Sequence, residues 1–321
     1  MKKILMIAPQ FYGYETVIID NLSKLGYDVY YINPSIDEKN ILLKIIYKYI
    51  KKFNSSINKF YYNSRLRQIS NEIDEVFVIY THYITEPIIA KIKEKYPSCR
   101  HILYFWDSIC NNPAALQITK YFDKILTFDP SDSERFSWKY RPLFYIKDYL
   151  VNEERDVDVT FIGSVHSNRI DMANKLRYFC REKNLSSYIA LYSKKIIFYF
   201  KKYIKKNTKY NVADAKNFSF RRLSLKETYR IYGKSKIVID YVYPNQIGLT
   251  MRTIEALGSG CLLITNNSNI KKERVYDPNI IFVYEGEDLE IPQEFLQYKG
   301  KRDELISLDY SLDKWIEEVF H

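Results

Sequence analysis

Only four cysteines occur in the 321 residues (Cys99, Cys110, Cys180 and Cys261), with no CxxC pair and no regular spacing. That excludes a disulfide framework and leaves reduced structural thiols, the usual state in a cytoplasmic protein. Cys99 and His101 form a lone C-x-H, and nothing nearby supplies the further ligands a zinc site needs. Long apolar runs are also missing: no window approaches the ~18 residues of a membrane span. The opening MKKILMIAPQ has a basic head, but its apolar run stops at Pro9 without a small-residue cleavage site. It reads as a first β-strand rather than a secretory leader. No G-x-G-x-x-G follows an apolar strand, which argues against a dinucleotide-dependent dehydrogenase. No G-x-S-x-G or Cys/His arrangement is present to support nucleophilic catalysis.

What is present is an ordinary globular composition, 46% hydrophobic and 27% charged, with a formal net charge of +10. The excess of positive charge points to an acidic partner: a nucleotide phosphate, an anionic membrane surface or nucleic acid. No zinc finger, RNP motif or other nucleic-acid module accompanies the charge, so nucleic acid ranks last.

Short apolar runs alternate with helical stretches, the pattern of parallel sheets covered on both faces. In the first half the strands are expected at KILMIA, YDVYYI, VFVIY, HILYFW and KILTF, with helices over 15–25, 42–51, 86–96 and 112–121. A second series runs through DVTFIGS, YIALY, FSFRRL, KIVIDY, CLLIT and IIFVY. The polar stretch YIKDYLVNEERD separates the two, so a linker is expected over 145–156. The expected fold class is α/β, with two Rossmann-like domains facing a central cleft. Residues 1–150 form the first domain, 151–305 the second, and 306–321 a closing helix that packs back on the first. Ser311 is its N-cap candidate.

Two basic segments stand out, 44–60 and SKKIIFYFKKYIKKNTKY (193–210). The second interleaves lysines with Ile197, Phe198, Phe200, Tyr203 and Ile204. Two readings are open: a helix with its apolar side on the sheet and its lysines in water, or an interfacial helix on an anionic membrane that carries a lipid-linked substrate.

Ligands of open α/β sheets bind beyond the carboxyl ends of the strands. The loop after DVTFIG carries Gly163, Ser164, His166 and Arg169. Glycine allows close backbone approach, a helix start offers free N–H groups, and the arginine supplies a cation for phosphate. A plain tight turn with a surface arginine is the alternative. After KIVIDY come Gln246, Gly248, Thr250, Arg252 and Glu255. Arg252 and Glu255 share a helix face at i,i+3; alone they are a surface ion pair, but after a strand end they can hold a diphosphate and a ribose. Asp156-Val157-Asp158 is a DxD that precedes its strand, and it is read as strand entry rather than as a metal site. In the first domain His82 and Asp107 each follow a strand and are the candidate bases for an acceptor hydroxyl. A loop histidine and a helix N-cap are the respective alternatives. Asp129 and Asp132 in FDPSD are read as turn and capping residues.

QIGLTMRTIEALGSGCLLITNN, YFWDSICNN, FDKILTFDPSDSERF with RPLFY, and DVDVTFIGSVHSNRI span roughly residues 100–285. Together they resemble the GT-B glycosyltransferases of lipopolysaccharide-core, capsule and exopolysaccharide biosynthesis and of the spore-maturation type. The resemblance implies a transferase that moves a sugar from a nucleotide-sugar to a surface-glycan or lipid-linked acceptor. It places Glu255 on the nucleotide ribose, Arg252 on the diphosphate, and Gly163 and Arg169 at the donor entrance. The donor charge would fall to Arg169, Arg252, helix N-termini and Arg221 or Arg222, with no metal or other cofactor. Ile247 stands where the broader group often has a second glutamate, so a retaining mechanism does not carry over. A non-catalytic relative that binds nucleotide or acts as a scaffold is the second reading. The expected location is the cytoplasm, on the inner face of the membrane if the basic helix docks there.

Overall fold

The computed structural model describes residues 1–35, 51–151, 153–165, 168–204, 217–243, 246–286, 289–298 and 308–321, with backbone alone for 51–58 and 308. The helix expected over 42–51 lies outside them except for its last residue. Two compact units are formed: unit 1 is Met1–Pro142 with Asp313–His321, and unit 2 is Leu143–Leu312.

Unit 1 is built on six parallel strands in the order β2-β1-β3-β4-β5-β6: β1 (Lys3–Ile7), β2 (Asp28–Ile32), β3 (Glu75–Ile79), β4 (Arg100–Phe105), β5 (Lys124–Thr127) and β6 (Lys139–Tyr140). The first five are near-continuous apolar runs, as strands covered on both faces require. Around them lie helices α1 (Tyr14–Lys24), α2 (Lys51–Arg67), α3 (Glu86–Lys95) and α4 (Pro130–Phe136). Over 112–121 the chain forms a 3-10 helix (Pro113–Tyr121) instead of the expected α-helix. There the Thr119 hydroxyl donates to Leu116 O at 2.9 Å, one of the local bonds that compete with α-helical pairing. Asp129 caps α4 by accepting from Ser131 N at 2.9 Å.

The chain's last helix, α10 (Leu312–Phe320), gives unit 1 its largest buried side chain. Trp315 is fully buried, its ring 4.9 Å from Tyr104 and 6.0 Å from Phe77. The end of α10 leaves carbonyls without helical partners. Arg100 donates to Phe320 O at 2.6 Å, and Lys124 donates to Glu318 O at 2.7 Å and Val319 O at 3.0 Å. Placing cations there also suits the helix dipole.

Unit 2 has its own six parallel strands in the order β12-β11-β10-β7-β8-β9: β7 (Val157–Ser164), β8 (Ser187–Tyr192), β9 (Phe218–Ser219), β10 (Ser235–Asp240), β11 (Leu262–Thr265) and β12 (Ile281–Val283). Its helices are α5 (Arg169–Glu182), α6 (Lys195–Tyr199), α7 (Leu225–Gly233), α8 (Met251–Gly258) and α9 (Gln293–Leu296). The stretch expected as a polar linker is instead fastened into this unit. Tyr145 and Ile146 are buried, and Ile146 N donates to Tyr229 Oη at 2.7 Å. Arg155 donates to Tyr232 O, Ser235 O and Ser259 O, so its charge is spent on backbone carbonyls.

The G-S-G after α8 closes the helix in a Schellman motif. Gly260 takes φ +68° and donates to Leu257 O at 2.9 Å, while Cys261 N donates to Ala256 O at 3.0 Å. Gly258, the last helical residue, has a different reason to lack a side chain: a Cβ there would run into the ring of Tyr145. Gly258→Ala is therefore expected to cost about 1–3 kcal/mol through overpacking. Chemical denaturation would read that cost, and an unchanged midpoint would refute it.

Candidate functional site

Each sheet reverses its strand order once, between β1 and β3 in unit 1 and between β7 and β10 in unit 2. Such reversals open the crevice in which α/β sheets take ligands. In unit 2 the two loops that flank it, after β7 and after β10, are the two that the sequence pointed to.

At the carboxyl end of β10, Asp240 is completely buried and acts as a hub. Arg252 Nη1 lies 2.7 Å from Asp240 Oδ1. The hydroxyls of Thr250 (2.6 Å) and Thr253 both donate to Oδ2. Thr250 is also the N-cap of α8, accepting from Thr253 N at 3.2 Å, so the start of the helix and the carboxylate are tied together. Burial alone would raise the Asp240 pKa. Arg252 and the two hydroxyls outweigh it and hold the carboxyl below its usual range. Burial would likewise lower the pKa of Arg252, but Asp240 reverses the direction and raises it.

Arg169 approaches from the β7 side, at the first position of α5, and is 5% exposed. Its Nε donates to Tyr241 O at 2.8 Å, and its Nη1 lies 3.4 Å from Ser164 O. The side chain lies against Gly163, where a Cβ would come 3.1 Å from Nη1. Burial and then repulsion from Arg252 pull the Arg169 pKa down to about 9, which leaves it charged at neutral pH. Two guanidiniums thus share the neighbourhood of one buried carboxylate, and the second is the less neutralised.

The loop between β10 and α8 is held by side chains from the end of β11. Asn266 binds Val242 at both backbone atoms, accepting from N at 2.7 Å and donating to O at 3.3 Å. Asn267 Nδ2 donates to Ile247 O at 3.0 Å, and Gln246 Nε2 donates to Gly248 O at 3.1 Å. Gln246 therefore serves the loop's own backbone. Glu255 is 4% exposed and lies close enough to support the charge of Arg252 and to raise the pKa of Tyr229 and Tyr232.

Gly163, Ser164, Arg169, Thr250 and Arg252 are thus brought together, with Gln246, Gly248 and Glu255 on the same loop and helix. His166 lies outside the described residues. Arg221 is 2.8 Å from Glu227, and Arg222 stacks 4.9 Å from the centre of the Tyr192 ring. Asp158, the second carboxylate of the DxD, is at the opposite edge of the sheet, 2.7 Å from Lys236 and accepting from Ser186 N at 2.8 Å. Among the described residues, no group of three His, Cys, Asp or Glu side chains is placed to hold a metal ion.

In unit 1, His82 and Asp107 follow the neighbouring strands β3 and β4, and both are exposed. Asp107 is not a cap: Ser108 caps the next turn by accepting from Cys110 N. Protein atoms crowded around the Asp107 carboxyl raise its pKa, although the residue as a whole keeps its exposure to water. Asp132 reaches into this loop, accepting from Ile109 N at 2.8 Å, a longer-range role than the capping expected of it. The loop after β1 bends through Tyr12 (φ +55°) and Gly13 (φ +93°) and is held by Glu15, which is buried and accepts from Phe11 N at 3.0 Å.

Asp240, Thr253, Asn266 and Asn267 were not expected in these roles. A carboxylate ending the apolar run KIVID was the available signal, because a buried acid must find partners.

No family description and no curated protein matches the chain in sequence. Solved structures do match in fold. HepE from Anabaena, in complex with UDP and glucose, aligns at TM-score 0.60 and 9% identity over 100% of this chain and 98% of its own. Sucrose-phosphate synthase from Thermosynechococcus elongatus aligns at 0.54 and 10% identity, over 88% and 86%. MnaA from S. aureus with UDP aligns at 0.53 and 11% identity, over 99% and 94%. The fold is the α/β fold of two parallel six-stranded sheets found in GT-B glycosyltransferases.

Proposed function

We propose that this chain is a metal-independent glycosyltransferase that moves a sugar from a nucleotide-sugar to a cell-surface polysaccharide or lipopolysaccharide acceptor. It would belong with the lipopolysaccharide-core, capsule, exopolysaccharide and spore-maturation enzymes and work on the cytoplasmic side of the membrane. The observation that carries this reading is the pair Arg169 and Arg252 around Asp240 at the strand-order reversal of unit 2. A diphosphate would neutralise the cation that Asp240 leaves exposed to repulsion, and Gly163 leaves room for the Arg169 side chain that would meet it. Glu255 would accept hydrogen bonds from the ribose hydroxyls. Two proteins that this chain resembles in fold are seen in complex with UDP, which supports a nucleotide ligand.

In the proposed reaction an acceptor hydroxyl gives its proton to a general base, the role expected of Asp107 or His82 from the sequence, and its oxygen bonds to the anomeric carbon. The bond from that carbon to the phosphate oxygen breaks, and the electron pair leaves with the nucleoside diphosphate. The arginines stabilise the charge that develops there, which is the largest kind of contribution fixed protein dipoles and charges make. The raised pKa of Asp107 suits a group that must take up a proton.

Isothermal titration with UDP, GDP and CMP tests the donor site, and the wild type is expected to bind one of them. Arg252→Ala and Glu255→Ala should each weaken that binding by about 1–3 kcal/mol, the scale of a lost charged hydrogen bond. Unchanged affinity in both variants would remove the donor from this loop. Ile247, at the place of the broader group's second glutamate, favours a second reading as a non-catalytic nucleotide-binding subunit. Nucleotide binding with neither sugar transfer nor donor hydrolysis would decide for it.

A further inference from the structure

The lysine-rich segment after β8 does not bury its apolar side. Helix α6 and the π-helical turn that continues it (Phe200–Ile204) contribute one well-buried side chain, Phe198, which packs on Phe218 at 4.6 Å. The rest of its apolar residues face outward. Ile196 is 79% exposed, Ile204 69% and Tyr203 62%, with Ile197, Tyr199 and Phe200 each above 40%. Phe198 thus lies on the sheet, as one of the two readings of the sequence expects, but most of the segment's apolar residues do not. Isolated exposed apolar residues are ordinary, but six within nine consecutive positions form a patch.

The charges in and beside the same segment say what would cover it. Lys194 and Lys195 are exposed beside Ile196, and Lys202 lies over the rings of Phe198 and Tyr203 at 5.9 and 5.7 Å. Isoleucines that need a dry environment, tyrosines that prefer an interface and lysines that need anions are together the requirements of a helix lying in an anionic bilayer surface. A second copy of this face would bring the same lysines against each other. A nucleic acid would satisfy the lysines and leave the isoleucines in water.

We infer that α6 and its π-helical extension are a membrane-surface anchor, which inserts Ile196 and Ile204 among acyl chains, holds Tyr203 at the interface and sets Lys194, Lys195 and Lys202 at anionic headgroups. The segment leaves the sheet at the carboxyl end of β8, the strand beside β7, so it starts on the sheet edge that carries Gly163 and Arg169. The anchor would hold that edge at the surface where a lipid-linked glycan is found. It stands on exposure and charge, and does not depend on the transferase reading.

The test is co-sedimentation of the full chain with vesicles of phosphatidylcholine alone and of equimolar phosphatidylcholine and phosphatidylglycerol. Strong binding is expected only to the anionic vesicles, weakening as salt is added. Ile196→Ser with Ile204→Ser should lower it at least about tenfold, on the scale of an exposed isoleucine entering an apolar phase. Lys194→Gln with Lys195→Gln should lower it by about fivefold per lysine. Melting temperature and UDP affinity should stay at wild-type values in both variants. Absence of binding by the wild type, or equal binding by wild type and the isoleucine variant, would overturn the anchor. So would a dimer in sedimentation velocity that the isoleucine variant dissolves, since the occupant would then be a second copy. Vesicle binding without nucleotide binding would keep the anchor and sink the transferase.

Discussion

Asp240→Ala is expected to lower the stability of unit 2 by about 3–5 kcal/mol, the cost of leaving a buried charge without its partner. For a unit of this size that is about 6–20 °C in melting temperature. Arg252 and the Thr250 and Thr253 hydroxyls would all lose the oxygen they converge on, and Arg169 would face Arg252 with nothing between them. The double variant Asp240→Ala, Arg252→Ala should lose clearly less than the sum of the single variants, because the second substitution removes the orphaned charge. A single-variant shift below about 2 °C would mean that water already solvates the cluster, against the burial seen here. The same carboxylate sets a pH dependence. Its folded pKa lies below the unfolded value near 3.9, so its contribution is complete at neutral pH and disappears as pH falls through the folded pKa. Acid melts of the wild type should steepen below about pH 4, and those of the double variant should be flatter there.

Trp315→Ala should cost unit 1 about 3–5 kcal/mol, the range for removing a fully buried large aromatic. The ring is held edge-on to both Tyr104 and Phe77, side chains from the middle of the sheet, so no local collapse can refill the space. Trp315→Phe keeps most of the volume and should recover more than half of the loss. Equal melting of the alanine variant and the wild type would show that α10 is an ornament on unit 1 and not part of its core.

Most of the strands were legible in the sequence because parallel strands covered on both faces must be apolar on both. KILMI, EVFVI and SKIVID carry that property without reference to any partner. Helix type was less legible: the pattern over Pro113–Tyr121 allows an α-helix, and only local bonding separates it from the 3-10 form observed. Within the stretch expected as a linker, polarity alone did not reveal that Arg155 is engaged with backbone carbonyls. At the site, glycine and arginine could be placed by spacing from a strand end. The hub could not, because spacing alone does not show that the Thr250, Arg252 and Thr253 side chains turn back across the loop onto Asp240, or that Arg169 at the start of α5 joins them. The outward face of α6 was undecidable for a similar reason. Alternation of lysine and isoleucine fixes an amphipathic helix but not which side meets the protein.

The helix that completes unit 1 is encoded after all of unit 2, so the chain passes from unit 1 to unit 2 and back again. On the ribosome, unit 1 would wait with the pocket between Phe77 and Tyr104 unfilled while unit 2 is made and closes its own sheet. Trp315 would then arrive as the final wedge. The usual amino-to-carboxyl order of domain folding would be inverted, and in the interval unit 1 would be the segment most in need of a chaperone.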